Sequence, residues 1–429
     1  MAKVLMSLSS SSPLAHSLSP SGARQAGTWR HYLTLAILLA AVFSNFLLAV
    51  LNAHVMSVST GMVTLCYLAI AGAGFGLWLT DPVINKFYLI LAGALALLFL
   101  LSSLYTNKFD TAFVYRLYLI PIFVLLGWSS RANIAGIVSK LLLVILGVAI
   151  FELAFTDQYI AFCDPLSYYT STRSWTNTGE GTNAEANLYL GAYRIGGTLF
   201  GASHRAGSIF IEPLSLGYFA TIAVIFTLSD ASLPAAKKVL PILICLLLGI
   251  LADTRLSVAL STALVLGYPL LRRIPLGAVS VLPIPLFVLG ALVYANAGLI
   301  GGDLGGRLAW TYGDLAATGP AQLFLGGIDA TNLGDAGLVN LITHVGLIGC
   351  FIFFQLASGA ALRAPATSFL CAAVMVYLFM GSLFGGAMLS LKTGAILGFG
   401  IGVLARQGVS AVTAAMEVAA AESRKQDEQ

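Results

Sequence analysis

Along the chain, runs of mostly apolar residues alternate with short polar breaks. A helix crossing the hydrocarbon of a bilayer needs about 20 such residues. The runs predict helices near 32–51, 59–79, 87–106, 112–128, 133–155, 206–228, 238–253, 256–271, 276–296, 336–357, 365–386 and 389–405. The fourth, eighth and twelfth are short, so eleven or thirteen spans also fit. The turn at Ala252–Arg255 is the tightest of the boundaries. Two polar stretches are long, at about 156–205 and 297–334. The fold class this predicts is an all-α polytopic membrane protein of about 12 transmembrane helices. Residues 32–405 form its one membrane domain. Residues 1–31 read as a Ser-rich disordered tail, and 406–429 as an Ala-rich helix that frays into a charged end.

Composition supports that pattern. Hydrophobic residues make up 58% of the chain and charged residues 9%, with a mean hydropathy of +0.91. A soluble domain carries roughly 25% charged residues, so this chain could not cover its own surface in water. In hydrocarbon every backbone N–H and C=O needs a partner in the protein, which helices supply segment by segment. The first span is too long for the apolar core of a cleaved signal and reads as a retained anchor.

Charge sets the orientation. Lys and Arg concentrate in loops facing the cytoplasm. With the N-terminus inside, Arg24, Arg30, Lys86, Arg131, Lys237, Lys238, Arg272, Arg273, Arg363, Arg406, Arg424 and Lys425 all fall inside. Twelve spans then put both termini inside and both long loops outside. The net charge of +4 gives no case for nucleic-acid binding. Cys66, Cys163, Cys245, Cys350 and Cys371 form neither a disulfide framework nor a C-x-x-C metal pattern, and all five read as structural.

The unusual residues gather at the outer face. The first long loop holds Tyr168, Tyr169, Trp175, Tyr189 and Tyr193 among Asn, Thr and Gly. Such a mixture suits sugar rings, which stack on aromatic faces while their hydroxyls find amides; it also suits an aromatic belt at the membrane interface. Arg194, Arg205, Arg255 and Arg307 stand on the side where few cations are expected. Arginine binds diphosphate oxygens through paired, charge-assisted hydrogen bonds; the alternative is an arginine that snorkels or pairs with a nearby acid. Glu212 lies just inside an apolar run beside Pro213, and an acid there is a functional candidate by default. Its alternative role is a salt bridge to Arg205. Asp335 stands at a helix start, where it could equally be an N-cap. His344, about two and a half turns further on, is either a packed side chain or a proton acceptor.

Four segments read in order are RIGGTLFGASHRAGSIFIEPLSLGYFA from Arg194, LADTRLSVALSTALVLGY, GGRLAWTYGDL and LFLGGIDATNLGDAGLVNLITHVGLIGCFIFF. Together they resemble the Wzy-type polysaccharide polymerase and O-antigen ligase superfamily. The shared features are an Arg-bearing turn before an E-P span, an S/T-R motif heading a later span, and a large outer loop that opens on G-R and closes on G-L-I-G. The specific motifs cover roughly 190–355. The resemblance implies a bacterial inner-membrane protein with periplasmic loops. It also implies that Arg205, Arg255 and Arg307 bind the diphosphate of an undecaprenyl-linked donor, with Arg194 an adjunct. Ligases carry a His eleven residues before the Gly of G-L-I-G. Here that position is Asp335, which tilts the expectation from ligase to polymerase.

The function implied is polymerisation of undecaprenyl-diphosphate-linked oligosaccharide repeats into a secreted polysaccharide, a xanthan-type exopolysaccharide being one specific case. The leaving diphosphate would be neutralised by arginine. Glu212, Asp335 and His344 are the candidates for the base on the acceptor hydroxyl, and Asp253 could orient Arg255. The sequence shows no D-x-D motif and no ligand-spaced His/Asp cluster, so metal-independent transfer without a cofactor is expected. Expected partners are the lipid-linked oligosaccharide and membrane lipid, with a chain-length regulator or export complex as a further candidate. Glycan transfer of the ligase type, a lipid-linked oligosaccharide flippase or transporter, and an export scaffold are the competing readings.

Overall fold

A computed structural model of the chain describes residues 20–427 apart from 84, 174–191, 193–197, 199–203, 297–302, 329–336 and 365–366. All the described elements are helical. They are α1 (Pro20–His54), α2 (Thr60–Leu79), α3 (Lys86–Thr106), α4 (Thr111–Ser129), α5 (Ile134–Ala154), α6 (Thr156–Cys163) and α7 (Pro165–Arg173). After a 3-10 turn at Ser208–Phe210 come α8 (Pro213–Ser229), α9 (Ala235–Leu251), α10 (Arg255–Leu271), α11 (Leu276–Val281) and α12 (Pro283–Ala295). The last are α13 (Asp303–Ala316), α14 (Pro320–Leu325), α15 (Gly337–Ala357), α16 (Ser368–Phe384) and α17 (Leu391–Asp427).

Among the described residues, six helices are long and apolar enough to cross a membrane: Trp29–His54 within α1, then α2, α3, α4, α5 and α15. Helices α8, α10, α12 and α16 are apolar but shorter. Large apolar side chains cover the outside of the bundle, with Leu47, Leu65, Leu104, Leu143 and Leu266 all exposed. That is the inverse of a water-soluble surface and suits a hydrocarbon surround.

The helix starts follow local chemistry. Ser59, Asn85, Asp110 and Asn133 each stand just before a helix and accept a backbone N–H of its first turn, which removes one of the orphan donors there. Pro213 occupies the first position of α8, where its missing N–H costs nothing and its fixed φ suits the helix.

Two helices form the spine. Helix α4 packs along α17 more extensively than any other pair. Gly394, Gly398 and Gly402 recur every fourth residue of α17. A Cβ on Gly398 would strike the Ile120 carbonyl, and one on Gly402 the Val124 carbonyl. Small residues at this spacing let helix backbones touch, and dispersion and packing then hold them without a hydrophobic drive. Helix α8 is the central one: nearly all of its residues from Pro213 to Leu228 are buried, against α9, α10, α16 and α17.

The bundle has two distinct ends. At one, the Arg30 guanidinium pairs with Asp81 and reaches Ser129 Oγ at 3.5 Å, while Arg406 donates to the Trp128 carbonyl at 3.2 Å. The Arg363 guanidinium lies 3.8 Å from the centre of the Phe87 ring, on a helix that begins at this same end. At the other end Asn52 meets Ser167 at 3.1 Å, and Thr60 Oγ donates to the Thr172 carbonyl at 2.6 Å. Helix α2 alone separates the ends by about 30 Å, the length of 20 helical residues.

Several expectations change in detail. Helix α1 begins at Pro20, inside the stretch read as a tail. The start of the loop after α5 is itself helical, as α6 and α7. The run beginning at 206 opens with the 3-10 turn at Ser208–Phe210 and becomes α-helix only at Pro213. Helix α15 breaks at Gly346, with φ +68° and ψ 177°, a conformation essentially confined to glycine. The Thr343 carbonyl beside that break accepts the Gly327 N–H at 2.8 Å, a partner from outside the helix.

Candidate functional site

The start of α8 is exceptional for its charge. Glu212 precedes the helix in extended backbone, and its side chain makes no capping bond. Its carboxylate faces instead towards α17 and α7. One oxygen accepts from Lys392 Nζ at 2.8 Å and from Ser215 Oγ at 2.9 Å, and the Arg173 guanidinium stands 3.8 Å from it. Lys392 Nζ also donates to the Phe210 carbonyl at 3.1 Å. The Lys392 side chain is 1% exposed and that of Glu212 10%. Charges this deep persist only when paired and hydrogen-bonded.

This pair forms the floor of a cavity of about 400 Å³ at the Thr60–Thr172 end of the bundle. Its basic members are Lys392, Arg173 and Arg116, its acid is Glu212, and Tyr67, Tyr115, Tyr168 and Tyr169 supply the rings. The Arg173 guanidinium lies 4.6 Å from the centre of the Tyr169 ring, and Arg116 Nε donates to the Tyr115 hydroxyl at 3.4 Å. Tyr67 donates to Asn45 across the wall. Three cations against one carboxylate leave the cavity positive, and its mixture of rings and polar atoms could hold an anion joined to a polyhydroxylated body.

Sequence reasoning placed Glu212 here and missed its partners. Arg116 and Lys392 are charges inside runs read as apolar spans, and that alone was signal enough to find them. Arg173, the last residue of α7, falls within the stretch 156–205 read as a loop and gave no such sign. Tyr168 and Tyr169 were read as either sugar contacts or an interface belt. They pack with Tyr159, Cys163 and Ile211 and also line the cavity. Cys163 is buried, donates to the Tyr159 carbonyl at 3.2 Å, and burial pushes its thiol pKa up to about 12, which suits the structural role expected of it.

Of the arginines expected to bind diphosphate, Arg205 and Arg255 do not line the cavity. Arg205 is half-buried and donates from Nε to the Ala252 carbonyl at 3.0 Å, while the next residue, Ala206, donates its N–H to Leu251. Arg205 is therefore fastened to the turn that carries buried Asp253 and exposed Arg255, and none of the three lines the cavity. Arg194 and Asp335 lie outside the described residues, as does the side chain of Arg307. Trp175, Tyr189 and Tyr193 also lie outside them.

His344 does not line the cavity either. Its ring stacks on Phe113 with centroids 3.9 Å apart, and Nδ1 lies 2.8 Å from the Asn340 carbonyl. That contact makes Nδ1 the donor and leaves Nε2 facing Asp110, 3.6 Å away. Among the described residues no three His, Cys, Asp or Glu side chains gather at metal-binding separation.

No family model, curated protein or solved structure matches the chain.

Proposed function

We propose that this chain is an integral-membrane glycosyltransferase that polymerises polyprenyl-diphosphate-linked oligosaccharide repeats, acting at the membrane face where the Glu212 cavity opens. The observation that carries this reading is the cavity itself, where three cations and four tyrosines surround one buried carboxylate. The resemblance of the 190–355 segments to polysaccharide polymerases points the same way.

In this reading Arg116 and Arg173 take the oxygens of the donor diphosphate. The acceptor hydroxyl attacks the anomeric carbon as the bond from that carbon to the diphosphate oxygen breaks. The electron pair leaves with the diphosphate, whose growing charge the guanidinium groups neutralise. The hydroxyl proton passes to Glu212, which Lys392 and Ser215 keep ionised and aimed. Tyr67, Tyr115 and Tyr168 offer faces and hydroxyls to the sugars. Arg205 and Arg255, outside the cavity lining, are the candidates for the diphosphate of the acceptor chain. With the Arg30–Arg406 end in the cytoplasm, as the charge bias directs, the cavity faces the periplasm of a bacterial inner membrane and both termini are cytoplasmic.

The test is the purified chain in lipid vesicles with a polyprenyl-diphosphate-linked oligosaccharide, followed by sizing of the glycan. A ladder of repeat multiples is expected. Transfer of a single unit to an unrelated acceptor would instead indicate a ligase. Movement of the lipid-linked sugar across the bilayer without lengthening would indicate a flippase.

A further inference from the structure

Glu152 is a second acid deep in the bundle, and nothing in the reaction described above uses it. It lies at the end of α5 and is 2% exposed. Its carboxylate accepts the Gly207 N–H on both oxygens at 3.0 Å and the Ser208 N–H on Oε2 at 2.6 Å. His204 Nε2 stands 3.8 Å from Oε1. All three residues belong to the turn that leads into Glu212.

That turn is unusual backbone. Ser208 has φ +51° and Ile211 φ +61°. For a β-branched residue a positive φ is an outlier that persists only where the surroundings over-determine it. The surroundings here are specific. The Tyr159 hydroxyl donates to the Ser208 carbonyl at 2.7 Å, and Ser208 Oγ donates to the Ile145 carbonyl at 2.7 Å. Lys392 holds the Phe210 carbonyl. A side chain on Gly207 would collide with the Ile211 carbonyl, so the turn closes on itself directly behind the carboxylate. An apolar residue at position 152 would leave two buried amide N–H groups without an acceptor.

We propose that Glu152 is a positioning residue: from outside the cavity it clamps the 204–211 turn and thereby fixes where Glu212 meets Lys392 and the substrate. This deepens the glycosyltransferase reading and rests on it for the identity of the reaction, but the clamp itself is a property of the fold. Glu212 projects from the residue that follows Ile211, so release of the Gly207 and Ser208 amides would let the carboxylate swing. A displacement of about 1 Å in a reacting group costs on the order of 100-fold in rate, whereas Arg116, proposed to hold the donor diphosphate, sits on α4 outside that turn.

The experiment is amide hydrogen exchange by mass spectrometry on the full chain in lipid nanodiscs, comparing wild type with Glu152→Gln and with Glu152→Asp. Glutamine keeps the shape but presents an NH2 group to one of the two amides; aspartate keeps the charge but falls short by one methylene. The expected result is exchange in the 204–212 peptide faster by roughly tenfold or more, with α4 and α17 as protected as in wild type. In the glycan-lengthening assay the same variants lose kcat while KM for the lipid-linked donor is unchanged, a split that general loosening of the bundle would not give. Unchanged protection of 204–212 in both variants would overturn the clamp. So would faster exchange throughout the bundle, or failure of both variants to fold. A wild-type chain that makes no polymer would overturn the glycosyltransferase reading alone, since the exchange result decides the clamp separately.

Discussion

Glu212 and Lys392 stand 180 residues apart in the chain and 2.8 Å apart in space. Breaking a buried pair by removing one partner leaves a charge uncompensated, at about 3–5 kcal/mol. Lys392→Met and Glu212→Gln should therefore each lower the thermal unfolding midpoint of the purified protein. The double variant should regain most of the loss, because no buried charge remains. All three should make no polymer, which separates the stability role of the pair from its chemical role. Arg173→Lys should retain only part of the activity of wild type and Arg173→Ala less, since a point charge lacks the paired donors of the guanidinium. Donor-binding measurements would show the difference as a weaker affinity. His344→Gln should still yield polymer, as that ring packs on Phe113 outside the cavity. At this scale the sequence revealed Glu212 because an acid beside proline in an apolar run stands out. Lys392 and Arg116 gave the same signal within spans already assigned to lipid. Their convergence on Glu212 depends on how α4, α8 and α17 pack, which no local pattern encodes.

At the scale of elements, the contact between α4 and α17 rests on glycines that admit no side chain. Gly402→Leu would push a side chain into the Val124 carbonyl and the Trp128 amide, and Gly398→Leu would do the same at Ile120. Overpacking of this kind costs about 1–3 kcal/mol or more. Each variant should give a lower unfolding midpoint, or aggregated protein on size exclusion. The corresponding change at Gly72 or Gly76, where nothing lies within 4 Å, should be tolerated. The apolar runs located most of the helices to within a few residues, because hydrophobic length is what a bilayer selects, but α1 begins well ahead of its run, at Pro20, and the run 276–296 holds two helices, α11 and α12. They could not show that the run at 206 begins as a clamped turn or that α15 breaks at Gly346. Both features are made by hydrogen bonds to distant elements, Glu152 in one case and the Gly327 amide in the other.

For the molecule as a whole, the two ends carry the argument. The Arg30–Asp81 and Arg406–Trp128 contacts mark one end and the cavity marks the other. The proposed orientation predicts that a cysteine replacing exposed Ser167 reacts with a membrane-impermeant maleimide on intact spheroplasts. A cysteine replacing exposed Arg131 should react only after permeabilisation. The reverse pattern would invert the molecule and remove the cavity from the periplasm. The proposed orientation rests on charge bias, which needs only the sign and spacing of residues between spans, and the labelling tests it. The location of the cavity was not legible, because its walls come from α1, α2, α4, α7 and α17. The central claim is that glycan is lengthened in this cavity. The most direct measurement is the glycan ladder from vesicles containing wild type or Arg116→Ala/Arg173→Ala, each variant first shown to be folded and inserted. Wild type should give a ladder and the variant none, or only the starting repeat. An equal ladder from both would move the chemistry away from Glu212.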